Sequence, residues 1–251
     1  MRKNILFTVI SLVVLFYCTG AFAAELHLYA GAGLRVPTDA VIQRFEAKTG
    51  HTVHVEYAGM GQLLARYKAT RSGDVFLSGS EGYVDAIAKD GGILESYKLV
   101  LHTAVMAVRK DKAKGIASYA DLAKSDLRLA MGDPKAIVLG RAGEAMLDAS
   151  GYGDQLRQKV IVRGTTIKQI LMYLLNGEVD AAVIGRSDAV KNDSLALLPN
   201  PEGTPQDISV VAVLSSSSQP EAAKQLAKFF TQKENIQIFI DFGFLPLPEQ
   251  Q

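Results

Sequence analysis

Two closely spaced glycines near the N-terminus, Gly31 and Gly33, carry the strongest chemical signal in this sequence. They follow the short apolar segment Leu26–Ala30 and precede Pro37–Lys48, where apolar residues recur with the spacing of a helix. A strand that enters a helix through such a loop leaves backbone N–H groups without partners at the start of the helix. These groups, together with the partial positive charge of the helix N-terminus, bind small anions. The pattern therefore predicts an anion site that needs no catalytic side chain.

Five further loops with glycine follow predicted strands, and the six loops together span residues 31–35, 58–62, 78–81, 132–134, 164–166 and 185–187. Ligands of parallel α/β sheets bind beyond the carboxyl ends of the strands. Glycine permits positive φ angles and a close approach of backbone amides to a ligand. We therefore expect these loops to line one cleft, with Leu34, Gly59 and Gly61 among the ligand-binding residues.

Hydroxyl and guanidinium side chains in the same loops are candidates for further contacts with an anion. The hydroxyl candidates are Ser78, Ser80, Thr165, Thr166 and Ser187. The charged candidates are Arg35 and Arg186, because a guanidinium group can bind two adjacent oxygens of an oxyanion. A solvated surface position or an interdomain ion pair is the alternative for either arginine.

Catalytic chemistry finds little support in the sequence. The four histidines, His27, His51, His54 and His102, lack the spacing of metal ligands, and we assign them structural roles. No nucleophile elbow and no phosphate-binding loop of the Walker type occurs. A paired-carboxylate hydrolase stays open, although no spacing indicates such a pair. We therefore predict a protein that is not an enzyme and has neither a cofactor nor a metal site.

The first 23 residues have the pattern of a signal peptide. Arg2 and Lys3 supply positive charge, and the apolar segment Ile5–Tyr17 is too short for a comfortable membrane span. A small-x-small sequence ends at Ala23, so we predict cleavage after that residue. An uncleaved anchor and a lipid-modified N-terminus at Cys18 are the alternatives.

Composition narrows the class of partner. Cleavage leaves about 228 residues without cysteine, so the fold must be held by its core and not by disulfides. Without Arg2 and Lys3, the 27 basic residues become 25, against 26 acidic residues. This balance, without a basic stripe or a second long apolar stretch, argues against nucleic acid and against stable membrane insertion.

Strand-like and helix-like segments alternate along the chain, which predicts α/β architecture with parallel sheets. Two long apolar runs, Leu99–Val108 and Ile208–Leu214, are predicted to cross between two units. We therefore expect two Rossmann-like lobes joined by a two-crossing hinge. The first lobe would contain residues 24–101 and 215–251, and the second lobe residues 102–214. A cleft between two such lobes is a common site for a small ligand.

Several segments make the chain resemble the periplasmic molybdate-binding proteins of bacterial ABC importers, which are type II solute-binding proteins. These segments span residues 28–34, 59–66, 73–78, 132–134, 187–190 and 239–244. The resemblance implies a periplasmic, monomeric protein that closes over a small oxyanion such as molybdate or tungstate. It also implies delivery of that ion to an ABC transporter permease.

The resemblance also implies ligand positions, and three of them lack the expected hydroxyl. Gly33 and Met60 occupy the positions of two serines, and Gly185 occupies that of a tyrosine. Leu139 and Ile167 match two positions with backbone donors. A buried oxyanion loses about 1.5–3 kcal/mol for each missing charge-assisted hydrogen bond. Either Arg35, Arg186, Thr165 or Thr166 compensates, or the ligand is a different small anion or an organic acid; a periplasmic sensor or enzyme subunit is the further alternative.

Overall fold

The computed structural model describes residues 23–248, so the predicted signal peptide and its alternatives lie outside the described residues, apart from Ala23. The strands are β1 (Glu25–Gly31), β2 (Thr52–Ala58), β3 (Val75–Ser78), β4 (Ile93–His102), β5 (Ala104–Arg109), β6 (Leu129–Gly132), β7 (Val160–Gly164), β8 (Ala181–Gly185), β9 (Leu195–Leu197) and β10 (Asp207–Leu214). The α-helices are α1 (Arg35–Thr49), α2 (Met60–Thr70), α3 (Glu81–Ala88), α4 (Tyr119–Lys124), α5 (Val138–Ala149), α6 (Gly153–Gln158), α7 (Ile167–Leu175), α8 (Arg186–Ala189), α9 (Pro220–Phe230) and α10 (Lys233–Asp241).

The described residues form two five-stranded sheets, with strand orders β2-β1-β3-β10-β4 and β7-β6-β8-β5-β9. In the first sheet, β1 pairs in parallel with β2 and β3, whereas β10 is antiparallel to β3 and β4. In the second sheet, β6 is parallel to β7 and β8, whereas β5 is antiparallel to β8 and β9. The predicted two-lobed α/β fold is confirmed, but each sheet is mixed and not wholly parallel.

The chain passes between the sheets twice, and one passage differs from the prediction. Thr103 alone separates β4 of the first sheet from β5 of the second. Residues 198–206 lead back from β9 to β10. Because Val211 of β10 pairs with Leu77 of β3, residues 207–214 belong to the first sheet, although the sequence placed them in the second lobe. A buried apolar strand has no sequence signal for the sheet that it joins.

Local sequence explains most element boundaries. Helix α1 ends at Gly50, which adopts the left-handed conformation (φ 74°) that glycine tolerates best. Helix α9 begins with Pro220, whose missing N–H costs nothing in the first turn. Two elements, α6 and β7, have no clear sequence signal. Strand β7 lies half-exposed at the sheet edge, and only its alternate residues Val160 and Val162 pack against the core. Its pattern is weaker than that of the central strands.

Each lobe has its own apolar core. Leu28, Phe45 and Val211 lie fully buried in the first core, and Met106 and Val183 in the second. A further cluster joins the lobes. There Val138 of the second lobe packs with Met60 and Tyr83 of the first, beside Phe76 and Ile87. The lobes therefore touch through apolar side chains as well as through the two chain passages.

Candidate functional site

A small cavity lies between the two lobes at the carboxyl ends of β1, β2 and β3. Its volume is about 30 Å³. One water molecule needs about 10–15 Å³ on the same measure, so the cavity suits a compact ion of few atoms. The first lobe contributes Gly31, Ala32, Gly33, Leu34, Ala58, Gly59, Met60, Gly79 and His102, and the second lobe contributes Ile137, Val138, Leu139, Thr166 and Ile167.

The starts of four helical segments meet at this cavity. They are the 3₁₀ turn Ala32–Leu34 that leads into α1, and the first turns of α2, α5 and α7. N–H groups in the first turn of a helix have no partner inside the helix. Each helix N-terminus also carries partial positive charge. The cavity therefore gathers positive potential and first-turn donors, although the Gly61 and Gln169 N–H groups already have partners in the protein. Such a setting favours an anion.

Seven of the residues predicted to bind ligand line the cavity, namely Gly33, Leu34, Gly59, Met60, Leu139, Thr166 and Ile167. Thr166 is the N-cap of α7, where its hydroxyl oxygen accepts a hydrogen bond from the Gln169 N–H at 3.3 Å. A hydroxyl that accepts there can still donate its own hydrogen towards the cavity.

The two predicted arginines lie elsewhere. Arg35 is exposed, and its guanidinium carbon lies 4.3 Å from the centre of the Tyr57 ring. Arg186 is half-buried and donates a hydrogen bond from Nη1 to the carbonyl oxygen of Gly243 at 2.8 Å. Neither side chain lines the cavity. The hypothesis that a guanidinium group replaces the missing hydroxyls is therefore not supported by their positions.

Three other predicted residues also have different partners. The Ser78 hydroxyl donates to the carbonyl oxygen of Ser80 at 2.7 Å, within its own turn. The Gly61 N–H donates to the carbonyl oxygen of Ala136 in the opposite lobe at 3.0 Å. Gly185 packs beside Leu139 and stays outside the cavity lining, like the rest of the 185–187 loop.

His102 is the cavity residue that sequence analysis assigned a merely structural role. It ends β4, is 6% exposed, and lies with its Nδ1 3.2 Å from the carbonyl oxygen of Gly79. Its ring also contacts Phe244, with ring centres 5.5 Å apart. Burial lowers the pKa of His102 below its usual value, whereas the charges of Asp207 and Asp188 and the hydrogen bond to Gly79 act in the opposite direction. Nothing in its neighbouring sequence distinguishes it from a core histidine.

Glycine is needed at two positions of the cavity wall because other groups approach too closely for a Cβ atom. A Cβ at Gly59 would lie 2.7 Å from the carbonyl oxygen of Thr165 in the other lobe. A Cβ at Gly79 would lie 2.5 Å from Nδ1 of His102. Real Cβ atoms essentially never approach so closely, so both glycines are fixed by packing.

Within residues 23–248, no group of three or more His, Cys, Asp or Glu side chains could hold a metal ion. Across the same residues, no helix is long and apolar enough to cross a membrane.

Two α/β lobes around a small cavity define the class of two-lobed binding proteins. Residues 26–245 match the family described as bacterial extracellular solute-binding protein, and the chain belongs to that family.

The chain is 50% identical over 225 residues to a binding protein of Haemophilus influenzae, covering 89% of this chain and 92% of the relative. It is 25% identical over 228 residues to the molybdate-binding protein ModA of Mycobacterium tuberculosis, covering 88% of this chain and 85% of the relative. The solved structure of the sulfate-binding protein SubI from Mycobacterium tuberculosis superposes with a TM-score of 0.78 at 17% identity, covering 90% and 88% of the two chains. The predicted family resemblance is confirmed.

Proposed function

We propose that this protein captures a small oxyanion of the molybdate or tungstate type in the interlobe cavity and delivers it to an ABC transporter permease. The observation that carries the proposal is the convergence of four helical N-termini on one cavity. No carboxylate occurs among the described residues that line this cavity. An anion would therefore meet donors and not like charges.

Backbone amides can bind such an ion without a fixed cation. The first-turn N–H groups of Met60, Val138, Leu139 and Ile167 belong to three different helices, so they approach the cavity from different sides. Hydrogen bonds to a charged acceptor contribute about 1.5–3 kcal/mol each, which is more than those to a neutral one. Several such bonds offset the cost of removing the ion from water.

The size and the lining of the cavity favour a compact ion. A volume of about 30 Å³ leaves little room for an organic ligand. The walls between the amides are apolar, and the Met60 and Ile167 side chains that form part of them are buried. An ion held there would be screened from water, which strengthens its interaction with the helix termini.

The relatives support the same ligand class. One relative, 25% identical, is named as a molybdate-binding protein, and molybdate is a tetrahedral oxyanion. The fold by itself does not select the ligand, because solved structures that share it are named as sulfate-binding, iron-bound and thiamin-binding proteins. Export by the predicted signal peptide and transfer to a permease would follow the role implied by the family.

Contacts between the lobes fit a mechanism in which a hinge closes over the ligand. The Gly61–Ala136 hydrogen bond and the packing of Val138 against Met60 cross the cleft. Such contacts form only when the lobes are close together. The two passages, at Thr103 and at residues 198–206, are the positions where the hinge would bend.

A thermal-shift panel tests the proposal with molybdate, tungstate, sulfate, phosphate and small carboxylates. A ligand present at about 100 times its Kd adds about 2.7 kcal/mol to the free energy of unfolding. We expect molybdate or tungstate to raise the Tm. The oxyanion proposal is wrong if no oxyanion in the panel changes the Tm.

Two variants localise the effect. Gly33→Leu should abolish the rise in Tm. Even a Cβ at this position would lie 3.2 Å from a side-chain carbon of Ile167, and the longer leucine side chain would fill the cavity. Gly82→Ala is the matched control in the same lobe, since its Cβ would meet only the Ser80 hydroxyl oxygen at 3.9 Å. Equal shifts in both variants would place the ion elsewhere on the protein.

A further inference from the structure

The imidazole of His102 is fixed between a carbonyl group and the cavity. Its Nδ1 lies 3.2 Å from the carbonyl oxygen of Gly79. Its Nε2 lies on the other side of the ring, 3.8 Å from the point where a Cβ on Gly33 would stand. Because Gly33 has no side chain, Nε2 is free to face the space that a serine would otherwise fill.

The hydrogen bond to Gly79 determines which nitrogen carries hydrogen. A carbonyl oxygen accepts hydrogen bonds and cannot donate them, so Nδ1 must be the N–H of a neutral ring. The Nε2 of that neutral ring then presents a lone pair to the cavity. A fully deprotonated oxyanion also has only lone pairs, so it would be repelled at this position.

We propose that His102 takes up a proton when a fully deprotonated oxyanion enters the cavity, and that Nε2–H then becomes a charged hydrogen-bond donor to the ion. This inference rests on the proposed function. The proton comes from solvent, Nδ1 keeps its bond to Gly79, and the ring gains one positive charge beside the anion. His102 thereby replaces one of the hydroxyl donors that are missing at Gly33 and Met60.

The surroundings of the ring suit such a switch. In the empty cavity burial favours the neutral ring and holds the pKa of His102 low. Asp207 on β10 and Asp188 on α8 are the charged groups that act on it, and both favour the protonated ring. Asp188 is paired through Oδ1 with Lys168 Nζ at 2.6 Å, while its buried Oδ2 lacks a hydrogen-bond partner among the described residues. Phe244 closes the remaining side with an apolar ring. A bound anion adds the negative charge that completes protonation.

Isothermal titration of the mature protein with molybdate tests the inference, because molybdate carries no proton at neutral pH. Titrations in buffers of different ionisation enthalpy measure the protons taken up for each ion bound. We expect uptake that approaches one proton for each ion bound at pH values above the pKa of His102 in the free protein. In titrations between about pH 6.5 and 8.5 the affinity should fall as the pH rises, by at most about tenfold for each pH unit.

Two histidine variants separate the role of His102 from a structural effect. His102→Gln keeps a neutral amide donor that does not titrate, so binding should weaken but persist, while proton uptake and the pH slope disappear. His54→Gln changes a histidine whose side chain is 65% exposed on β2, and it should keep the wild-type slope. A melting curve for each variant reports whether it is folded.

The outcomes distinguish this inference from the proposed function. Binding of molybdate without proton uptake, or a pH slope that is unchanged in His102→Gln, would overturn the role of His102 and leave the oxyanion proposal standing. If molybdate and tungstate fail to bind the wild-type protein at any pH in this range, the proposed function itself is wrong.

Discussion

The N–H group of Gly61 donates a hydrogen bond to the carbonyl oxygen of Ala136 at 3.0 Å, and this bond joins the two lobes backbone to backbone. A Cβ at Gly61 would lie 3.1 Å from that oxygen and 3.0 Å from the carbonyl oxygen of Lys135. The close approach of the lobes therefore depends on the absence of a side chain at this position.

Substituting alanine at Gly59 or Gly61 should weaken closure and hence ligand affinity. Each new Cβ would press on backbone carbonyl oxygens of the opposite lobe, and forced overpacking costs about 1–3 kcal/mol. That range corresponds to about one to two powers of ten in Kd. Titration calorimetry measures the affinity, and small-angle scattering measures the opening of the cleft. Gly82→Ala, in the same lobe, should bind like the wild type; unchanged affinity in Gly59→Ala and Gly61→Ala would show that closure tolerates the extra atoms.

Arg35→Ala should leave anion affinity unchanged within about twofold, since the guanidinium group stacks on Tyr57 and lies outside the cavity lining. The cation–π contact is exposed, so we expect a loss of about 0.5–1 kcal/mol in the free energy of unfolding. Urea denaturation checks the stability, and ligand titration checks the affinity. A large loss of affinity would mean that Arg35 reaches the ion in the bound state.

Gly79→Ala should displace the His102 ring, because the new Cβ would lie 2.5 Å from Nδ1 and 2.9 Å from Cε1. We expect a destabilisation of about 1–3 kcal/mol from overpacking. In a double-mutant cycle, His102→Ala should relieve much of this cost, since it removes the clashing ring. Additive effects of the two substitutions would show that the strain is absorbed by the backbone around Gly79.

Asp180→Asn should reduce stability in a pH-dependent way. The buried Asp180 carboxylate accepts hydrogen bonds from the Arg128 N–H and Nε at 3.0 Å each and from its Nη2 at 3.2 Å. These bonds to Arg128 hold the pKa of Asp180 below its usual value. A lowered carboxyl pKa contributes stability above the unfolded pKa of about 3.9, and the contribution is lost as the pH falls through the folded pKa.

The difference between wild type and Asp180→Asn should therefore be about 1–3 kcal/mol at neutral pH and should shrink in acid. Urea denaturation at several pH values measures it. Asp126→Asn, at an exposed carboxylate two residues before Arg128, is the control and should show little change. A difference that does not vary with pH would mean that shape, and not charge, dominates at this site.

The strand-end glycine loops were the part of the site that the sequence could locate. Gly33, Gly59 and Thr166 line the cavity as expected, because the carboxyl ends of parallel strands meet at one edge of a sheet. Leu139 and Ile167, which the family resemblance indicated, also line the cavity, in the first turns of α5 and α7.

Side-chain direction and sheet membership were decided only by the tertiary structure. Arg35 lies next to the cavity loop in sequence but turns to Tyr57, whereas His102 is distant in sequence and reaches the cavity. The apolar sequence of strand β10 suits a core strand of either lobe, and the strand joins the first sheet by pairing with β3 and β4. Local periodicity and glycine placement specify elements and their ends; contacts between residues far apart in the chain depend on how those elements pack, which no short segment encodes by itself.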